Sequence, residues 1–94
     1  MEALTFDKYL CPVCGFALSE PPWEDDTPSD EICPSCGIHF GYDDAVAGHS
    51  ERQLIYLTWR RQWLERGMHW FSLGRKPPSG WNPQHQLQAL DIPV

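Results

Sequence analysis

All four cysteines of the chain fall into two short pairs, with two residues inside each pair and eighteen between the pairs. Two sulfurs at this spacing can lie on one side of a tight turn, and two such turns facing each other supply the tetrahedral thiolate cage that zinc prefers. Glycine after each pair permits a positive φ. The pattern predicts one zinc site with four ligands: Cys11, Cys14, Cys33 and Cys36.

Two other chemistries use the same spacing. Redox dithiols do, but they lie in a βαβ pattern that the sequence around Cys11 and Cys33 does not show. Iron is the closer alternative, because Cys-Pro-x-Cys-Gly is similar to the cysteine motif of rubredoxins and a tetrahedron of thiolates accepts either metal. Four cysteines leave no open coordination position, so we expect a structural and not a catalytic metal. His39, three residues after Cys36, is expected near the site without being a ligand.

A chain of this length can gain stability from a bound metal. Its 94 residues predict a single domain, 1–94, with a zinc-ribbon part at 1–48 and a helical part at 49–94. A chain of this size buries only about two-thirds of its unfolded surface.

The sequence has no secretory signal pattern and no membrane span, so we expect a cytoplasmic protein. Disulfides do not persist in that reducing compartment, which also favours a metal.

Charge divides the chain into two halves. Residues 1–51 carry a formal balance of −10 and residues 52–94 a balance of +4. Six carboxylates and no base occupy the twelve residues Glu20–Glu31, between the cysteine pairs. Such a segment is either a solvated loop or a docking loop for a basic partner, with Trp23 as its anchor and Glu24, Asp25 and Asp26 as its charges.

Two helices are predicted after the second cysteine pair. Ser50 and Gln53 match a capping box and Gly67 is a stop signal, which predicts a helix over residues 51–66. A shorter helix is expected to start at Asn82 and Pro83 and to carry Leu87 and Leu90 inward.

Short aromatic-rich segments beside the cysteine pairs predict an antiparallel ribbon with strands at Phe6–Leu10 and Ile38–Tyr42. Asp43 and Asp44 are expected to cap a turn of helix over residues 45–47. An acid/base group of Asp43, Asp44 and His49 is disfavoured, because such a turn is usually a cap. The predicted fold is α+β, with a small zinc ribbon packed against one long helix and a short C-terminal helix.

The long helix carries two apolar stripes on roughly opposite sides. Aromatic stripes at helical spacing are usually core, so we expect both stripes to be internal, one against the ribbon and one against the C-terminal segment. The alternative is that the aromatic face is partly exposed as an interface. One stripe consists of Leu54, Leu57 and Leu64, and the other of Ile55, Tyr56, Trp59 and Trp63, accompanied by Arg52 and Arg66.

Catalysis is not expected, because the sequence has no phosphate loop, nucleophile elbow or open metal motif. A rubredoxin-like iron electron carrier is one alternative function. Nucleic-acid binding is another, although the acidic balance of the chain opposes it. The bases available for it are Arg52, Arg60, Arg61, Arg66, Arg75 and Lys76.

Four segments carry a resemblance to a known group of proteins. They are YLCPVCGF, EICPSCGIHFGYDDA, the run W-x3-W followed by GMHWF, and PPSGWNPQHQLQAL. Together they resemble small bacterial proteins of unknown function related to the cysteine-rich CPCC family. The resemblance implies a metal-binding cysteine domain without known catalysis, and relatives beside toxin genes are suspected immunity proteins. Our hypothesis is a zinc-binding protein-interaction module, with an immunity protein that binds a basic toxin as one form of it.

Overall fold

The computed structural model describes residues 9–46 and 48–90, apart from the side chain of His49. Its elements are strands β1, Trp23–Glu24, and β2, Thr27–Pro28, and helices α1, His49–Glu65, and α2, Pro83–Gln88. The strands pair antiparallel, with Trp23 opposite Pro28. The protein is therefore a small α+β fold, as predicted, although its sheet lies in the acidic segment between the cysteine pairs.

The hydrophobic core is built around the cysteines. All four cysteine residues are buried, and apolar side chains next to both pairs pack with them. Helix α1 adds Tyr56 and Trp63, and helix α2 adds Leu87. The remaining members of this core come from the two cysteine-containing segments: Val13, Phe16, Leu18, Ile38 and Phe40.

The cysteine cluster is consistent with the predicted ribbon, but within the described residues its two predicted strands do not pair with each other. Each cysteine pair lies in its own tight turn, closed by an antiparallel bridge between Leu10 and Ala17 in one and between Ile32 and His39 in the other. The predicted strand Ile38–Tyr42 is reduced to the bridge at His39, because the chain turns again over residues 40–44. Of the predicted strand Phe6–Leu10, residues 6–8 lie outside the described part of the chain.

Helix α1 begins two residues before its predicted start. Gly48 is the N-cap, and the Glu51 side chain accepts a hydrogen bond from the Gly48 amide at 2.9 Å. The predicted capping box of Ser50 and Gln53 is therefore wrong, since the side chain that bonds the N-cap amide is that of Glu51. The predicted stop is confirmed, because Gly67 has a φ of 92° immediately after the helix.

The start of α2 is as predicted. Asn82 is its N-cap, with a side-chain oxygen that accepts a hydrogen bond from the His85 amide at 3.0 Å, and Pro83 is its first residue. Leu87 is buried and Leu90 is half-buried against the core, so the inward direction of both leucines is confirmed.

Asp44 is a buried connector and not the predicted helix cap. Its carboxylate accepts hydrogen bonds from the Gly41 amide at 2.7 Å, the Trp23 indole at 2.8 Å and the Tyr56 hydroxyl at 2.5 Å. Burial raises the pKa of Tyr56, and its hydrogen bond to Asp44 acts in the same direction. A single carboxylate thus joins the β1–β2 hairpin, the turn at 41–44 and helix α1.

The residues after Asp44 do not continue as a helix. Ala45 and Val46 are non-helical, and Ala47 lies outside the described residues. Asp43 instead accepts a hydrogen bond from the His39 amide at 2.9 Å. Both aspartates thus bond to the turn that precedes them, which explains why the predicted helical turn does not form over Ala45 and Val46.

The two stripes of α1 have different surroundings. The aromatic stripe is internal as expected, with Tyr56 and Trp63 buried. The prediction that the leucine stripe is also internal is wrong, since Leu54 is 65% exposed and Leu57 is 53% exposed. The C-terminal segment does not cover them because it packs elsewhere: the Trp70 ring lies edge-on to Phe16, at 5.6 Å between centroids.

Within residues 9–46 and 48–90, we find no helix with the length and apolar character needed to cross a bilayer. The cytoplasmic location and the division at residue 48 stay predictions.

We expect Tyr56→Phe to lower the free energy of unfolding by about 1.5–3 kcal/mol, because it deletes a buried hydrogen bond to a carboxylate. Chemical denaturation measures this change. Tyr42→Phe is the matched control: Tyr42 is 75% exposed, so the change should stay within about 0.5 kcal/mol. An equal loss of unfolding free energy in the two variants would show that the hydrogen bond from the Tyr56 hydroxyl to Asp44 does not stabilise the fold.

Candidate metal centre

The four cysteine sulfurs converge on one point. The Sγ atoms of Cys11 and Cys36 are 3.8 Å apart, those of Cys14 and Cys33 are 3.6 Å apart, and all four lie within 4.8 Å of one another. Zinc bonds thiolate sulfur at about 2.3 Å, which gives a tetrahedron with edges of about 3.8 Å. Four buried cysteines are thus positioned to hold one metal ion, as the spacing predicted.

The two cysteine turns repeat one local geometry. We call residues 11–15 the first knuckle and residues 33–37 the second knuckle. The Gly15 amide donates to the Cys11 carbonyl and the Gly37 amide to the Cys33 carbonyl, each at 2.8 Å. Both glycines have a φ of 85°, a conformation that L side chains rarely adopt. This confirms the predicted role of glycine after each pair.

Four thiolates buried together would need a cation to compensate their charge. Burial raises the pKa of the Cys11 thiol and of the Cys36 thiol. Hydrogen bonds from the neighbouring cysteines lower the pKa of Cys33. The apo cluster therefore favours sharing protons over carrying four negative charges, since unpaired charges are costly to bury. A metal ion would release those protons and compensate the thiolates.

Helix α1 contacts both knuckles through adjacent residues. The Arg60 guanidinium donates to the Pro12 carbonyl at 2.6 Å and to the Val13 carbonyl at 2.7 Å, in the first knuckle. The Trp59 indole donates to the Cys36 carbonyl at 2.9 Å, in the second knuckle. One turn of helix therefore fixes the two halves of the site relative to each other.

The C-terminal part supplies the other donors. The Gln86 side chain donates to the Cys14 carbonyl at 3.1 Å and to the Ser35 hydroxyl at 2.9 Å, so α2 also bridges the knuckles. The Phe71 and Ser72 amides donate to the Pro34 carbonyl at 3.1 and 2.9 Å. The Phe71 amide also bonds the Ser35 carbonyl. The second, third and fourth carbonyls of both knuckles therefore all accept hydrogen bonds.

Arg60 adds a positive charge to this arrangement. Burial lowers the pKa of Arg60, while negative charge on Cys11, Cys14 and Cys36 acts in the opposite direction. The guanidinium thus lies close enough to the sulfurs to compensate part of the charge of a metal–thiolate cluster. Sequence reasoning placed Arg60 only among candidate nucleic-acid contacts.

His39 bonds elsewhere, as expected. Its Nε2 atom is 2.7 Å from the Asp30 carboxylate, and its ring stacks on Tyr42 at 5.5 Å between centroids. The only group of possible metal ligands found in residues 9–46 and 48–90, outside the His49 side chain, is the four cysteines.

The predicted partner-binding residues are only partly brought together: Trp23, Asp25 and Tyr56 line one pocket, whereas Trp59 and Trp63 each line another. Glu24, Asp25 and Asp26 are exposed where the β1–β2 hairpin turns. Trp23 is half-buried, with its indole bonded to Asp44 and the Arg52 guanidinium 4.1 Å above its ring. The aromatic members on α1 lie away from solvent: Tyr56 and Trp63 are buried and Trp59 is half-buried.

The bases proposed for nucleic-acid binding are also divided. Arg52 lies over Trp23, Arg60 bonds the first knuckle, and Arg75 lies over Phe16 at 5.3 Å. The remaining bases are exposed: Arg61, Arg66 and Lys76. Half of the predicted basic set therefore has contacts inside the protein.

Comparison with known proteins finds one weak relative. The uncharacterised protein YoaQ of Bacillus subtilis is 30% identical over 71 residues, which cover 64% of this chain and 60% of YoaQ. The chain thus spans less than two-thirds of that relative. No family model matches, and no solved structure matches. The CPCC resemblance stays a prediction.

We expect Arg60→Gln to weaken metal binding by about 10- to 100-fold, the usual effect of losing a group that supports metal ligands. Competition with a chromophoric chelator measures this affinity. Arg61→Gln is the matched control, because it removes the same charge from an exposed neighbouring position. An equal affinity in the two variants would contradict the supporting role of Arg60.

Proposed function

We propose that the protein holds one structural zinc ion on Cys11, Cys14, Cys33 and Cys36. The observation that carries this proposal is the convergence of the four buried sulfurs, with edge distances of 3.6 and 3.8 Å. A zinc ion there would act as a cross-link between the two knuckles. Four thiolates fill its preferred tetrahedron, so the site offers no position for a substrate. We therefore propose a non-catalytic protein.

Purified protein is expected to contain one zinc ion per chain and to be colourless, as measured by elemental analysis and absorbance. Chelation should unfold the chain, since the apparent binding free energy of structural zinc is about 10–16 kcal/mol. Tryptophan fluorescence and circular dichroism would follow the loss of structure. Red protein with iron would support the rubredoxin-like electron carrier instead, and metal-free folded protein would contradict both proposals.

We further propose that the zinc-supported fold presents an acidic tip to a basic protein partner. Glu24, Asp25 and Asp26 are exposed at the end of a hairpin whose base is bonded to buried Asp44. Carboxylates held on an ordered turn can steer a basic partner and lose little conformational freedom on binding. An immunity protein that binds a basic toxin is one form of this proposal.

Paired charge removal tests the acidic tip. Glu24→Gln with Asp26→Asn should weaken capture of a basic protein from the native cell lysate at low salt, because it removes two tip charges. The control is Glu20→Gln with Glu65→Gln, which removes two exposed charges elsewhere. Equal capture by the two variants would contradict the tip as the binding site. Salt-sensitive gel shifts with nucleic acid, reduced by Arg61→Gln, would favour the nucleic-acid alternative.

A further inference from the structure

The two knuckles are alike in backbone geometry but differ in what covers them. A Cβ atom at Gly15 would collide with the Gln86 carbonyl of helix α2 and contact the Leu90 side chain. A Cβ atom at Gly37 would lie 2.5 Å from the Phe71 ring. The first knuckle is therefore covered by helix backbone, and the second by a ring on an irregular segment. Phe71 is 56% exposed, so solvent surrounds much of that cover.

The hydrogen bonds show the same difference. The middle carbonyls of the first knuckle accept from the Arg60 guanidinium, whose helix also supplies the buried residues Tyr56 and Trp63. The corresponding carbonyls of the second knuckle accept from the Phe71 and Ser72 amides, in a segment outside both helices. Such segments open at lower free energy than packed helices. The Trp59 indole of α1 and the Gln86 side chain of α2 also bond the second knuckle, so only the donors to its middle carbonyls come from a segment of this kind.

A pocket reaches the second knuckle. Cys11, Cys14 and Cys33 have 0% of their surface exposed, whereas Cys36 has 6%. The pocket next to Cys36 has a volume of about 250 Å³. Its other walls supply aromatic rings, one guanidinium and one imidazole: Trp63, Trp70, Phe71, Arg66 and His69.

We propose that Cys36 is the exchangeable ligand of the metal site and that this pocket admits small thiol-reactive anions to it. The Arg66 guanidinium attracts an anion, and the Phe71 ring limits the access of larger molecules. Attack at Cys36 removes one of four thiolates and begins metal release from the second knuckle. This inference rests on the proposed metal site.

Alkylation is the chemical test. The Cys36 sulfur displaces iodide from iodoacetate: its electron pair forms the new carbon–sulfur bond, and iodide leaves with the carbon–iodine pair. The resulting thioether carries no thiolate charge and binds the metal weakly. Zinc-loaded full-length protein is treated with less than one equivalent of iodoacetate. Peptide mass mapping then locates the label while a chromophoric chelator reports released zinc.

Cys36 should take up at least about fivefold more label than any other cysteine, since accessible thiolates react first. Phe71→Ala keeps the Phe71 amide and should accelerate labelling of Cys36 by about tenfold, because it removes one wall of the pocket beside Cys36. Leu73→Ala is the control, because Leu73 is fully exposed and does not line this pocket. It should leave the rate unchanged.

The charge of the reagent tests Arg66. Arg66→Gln should slow iodoacetate by about threefold, because one exposed charge has a modest, salt-screened effect on the local anion concentration. The neutral reagent iodoacetamide should be unaffected, and Arg61→Gln should change neither rate. If Arg66→Gln slowed labelling by both reagents equally, the proposed preference for anions would be contradicted.

The outcomes separate the two proposals. Protein without metal would contradict the zinc site itself. Three outcomes with metal-loaded protein would overturn the role of Cys36 while leaving the zinc site in place. They are equal labelling of all four cysteines, labelling of the first knuckle before the second, and labelling only at the rate of spontaneous zinc release.

Discussion

The convergence of four sulfurs into one buried cluster is the constraint on which the rest of this fold depends. The described sheet has only two residues in each strand, so backbone pairing contributes little to the assembly. The core is instead assembled from the cysteines and the apolar residues beside them. Four buried thiolates would need a cation to compensate their charge. The same cluster thus organises the core and is positioned to hold a metal ion.

The knuckle carbonyls connect this cluster to the helices. Tight turns leave their middle carbonyls without partners inside the turn, and buried carbonyls need donors. Arg60, Trp59 and Gln86 provide such donors from two helices. The positions of α1 and α2 are therefore determined by polar contacts to the two knuckles as well as by apolar packing. This arrangement explains how a helix can dock firmly while one of its apolar stripes stays exposed.

Sequence reasoning succeeded where the determinants are local. The cysteine spacing, the glycines after each pair and the Asn82–Pro83 helix start depend on a few neighbouring residues, and the structure agrees with them. Sequence reasoning failed where a residue interacts with a partner that is distant in the sequence. Asp44 looks like a cap in sequence, yet it bonds Trp23 and Tyr56, which lie 21 and 12 residues away. Arg60 gave no local signal, since its acceptors lie 47 and 48 residues earlier. The prediction that the leucine stripe is internal failed because helical periodicity identifies an apolar face without showing which element packs against it.

The Asp44 carboxylate also determines how the protein can loosen. Because it holds the hairpin, the 41–44 turn and α1 with three hydrogen bonds, release of one element leaves a buried charge with fewer donors for the others. The three elements should consequently open as one cooperative unit, in which their amide protons exchange with solvent together. The acidic tip, although it projects into water, thus shares the stability of the interior from which it extends.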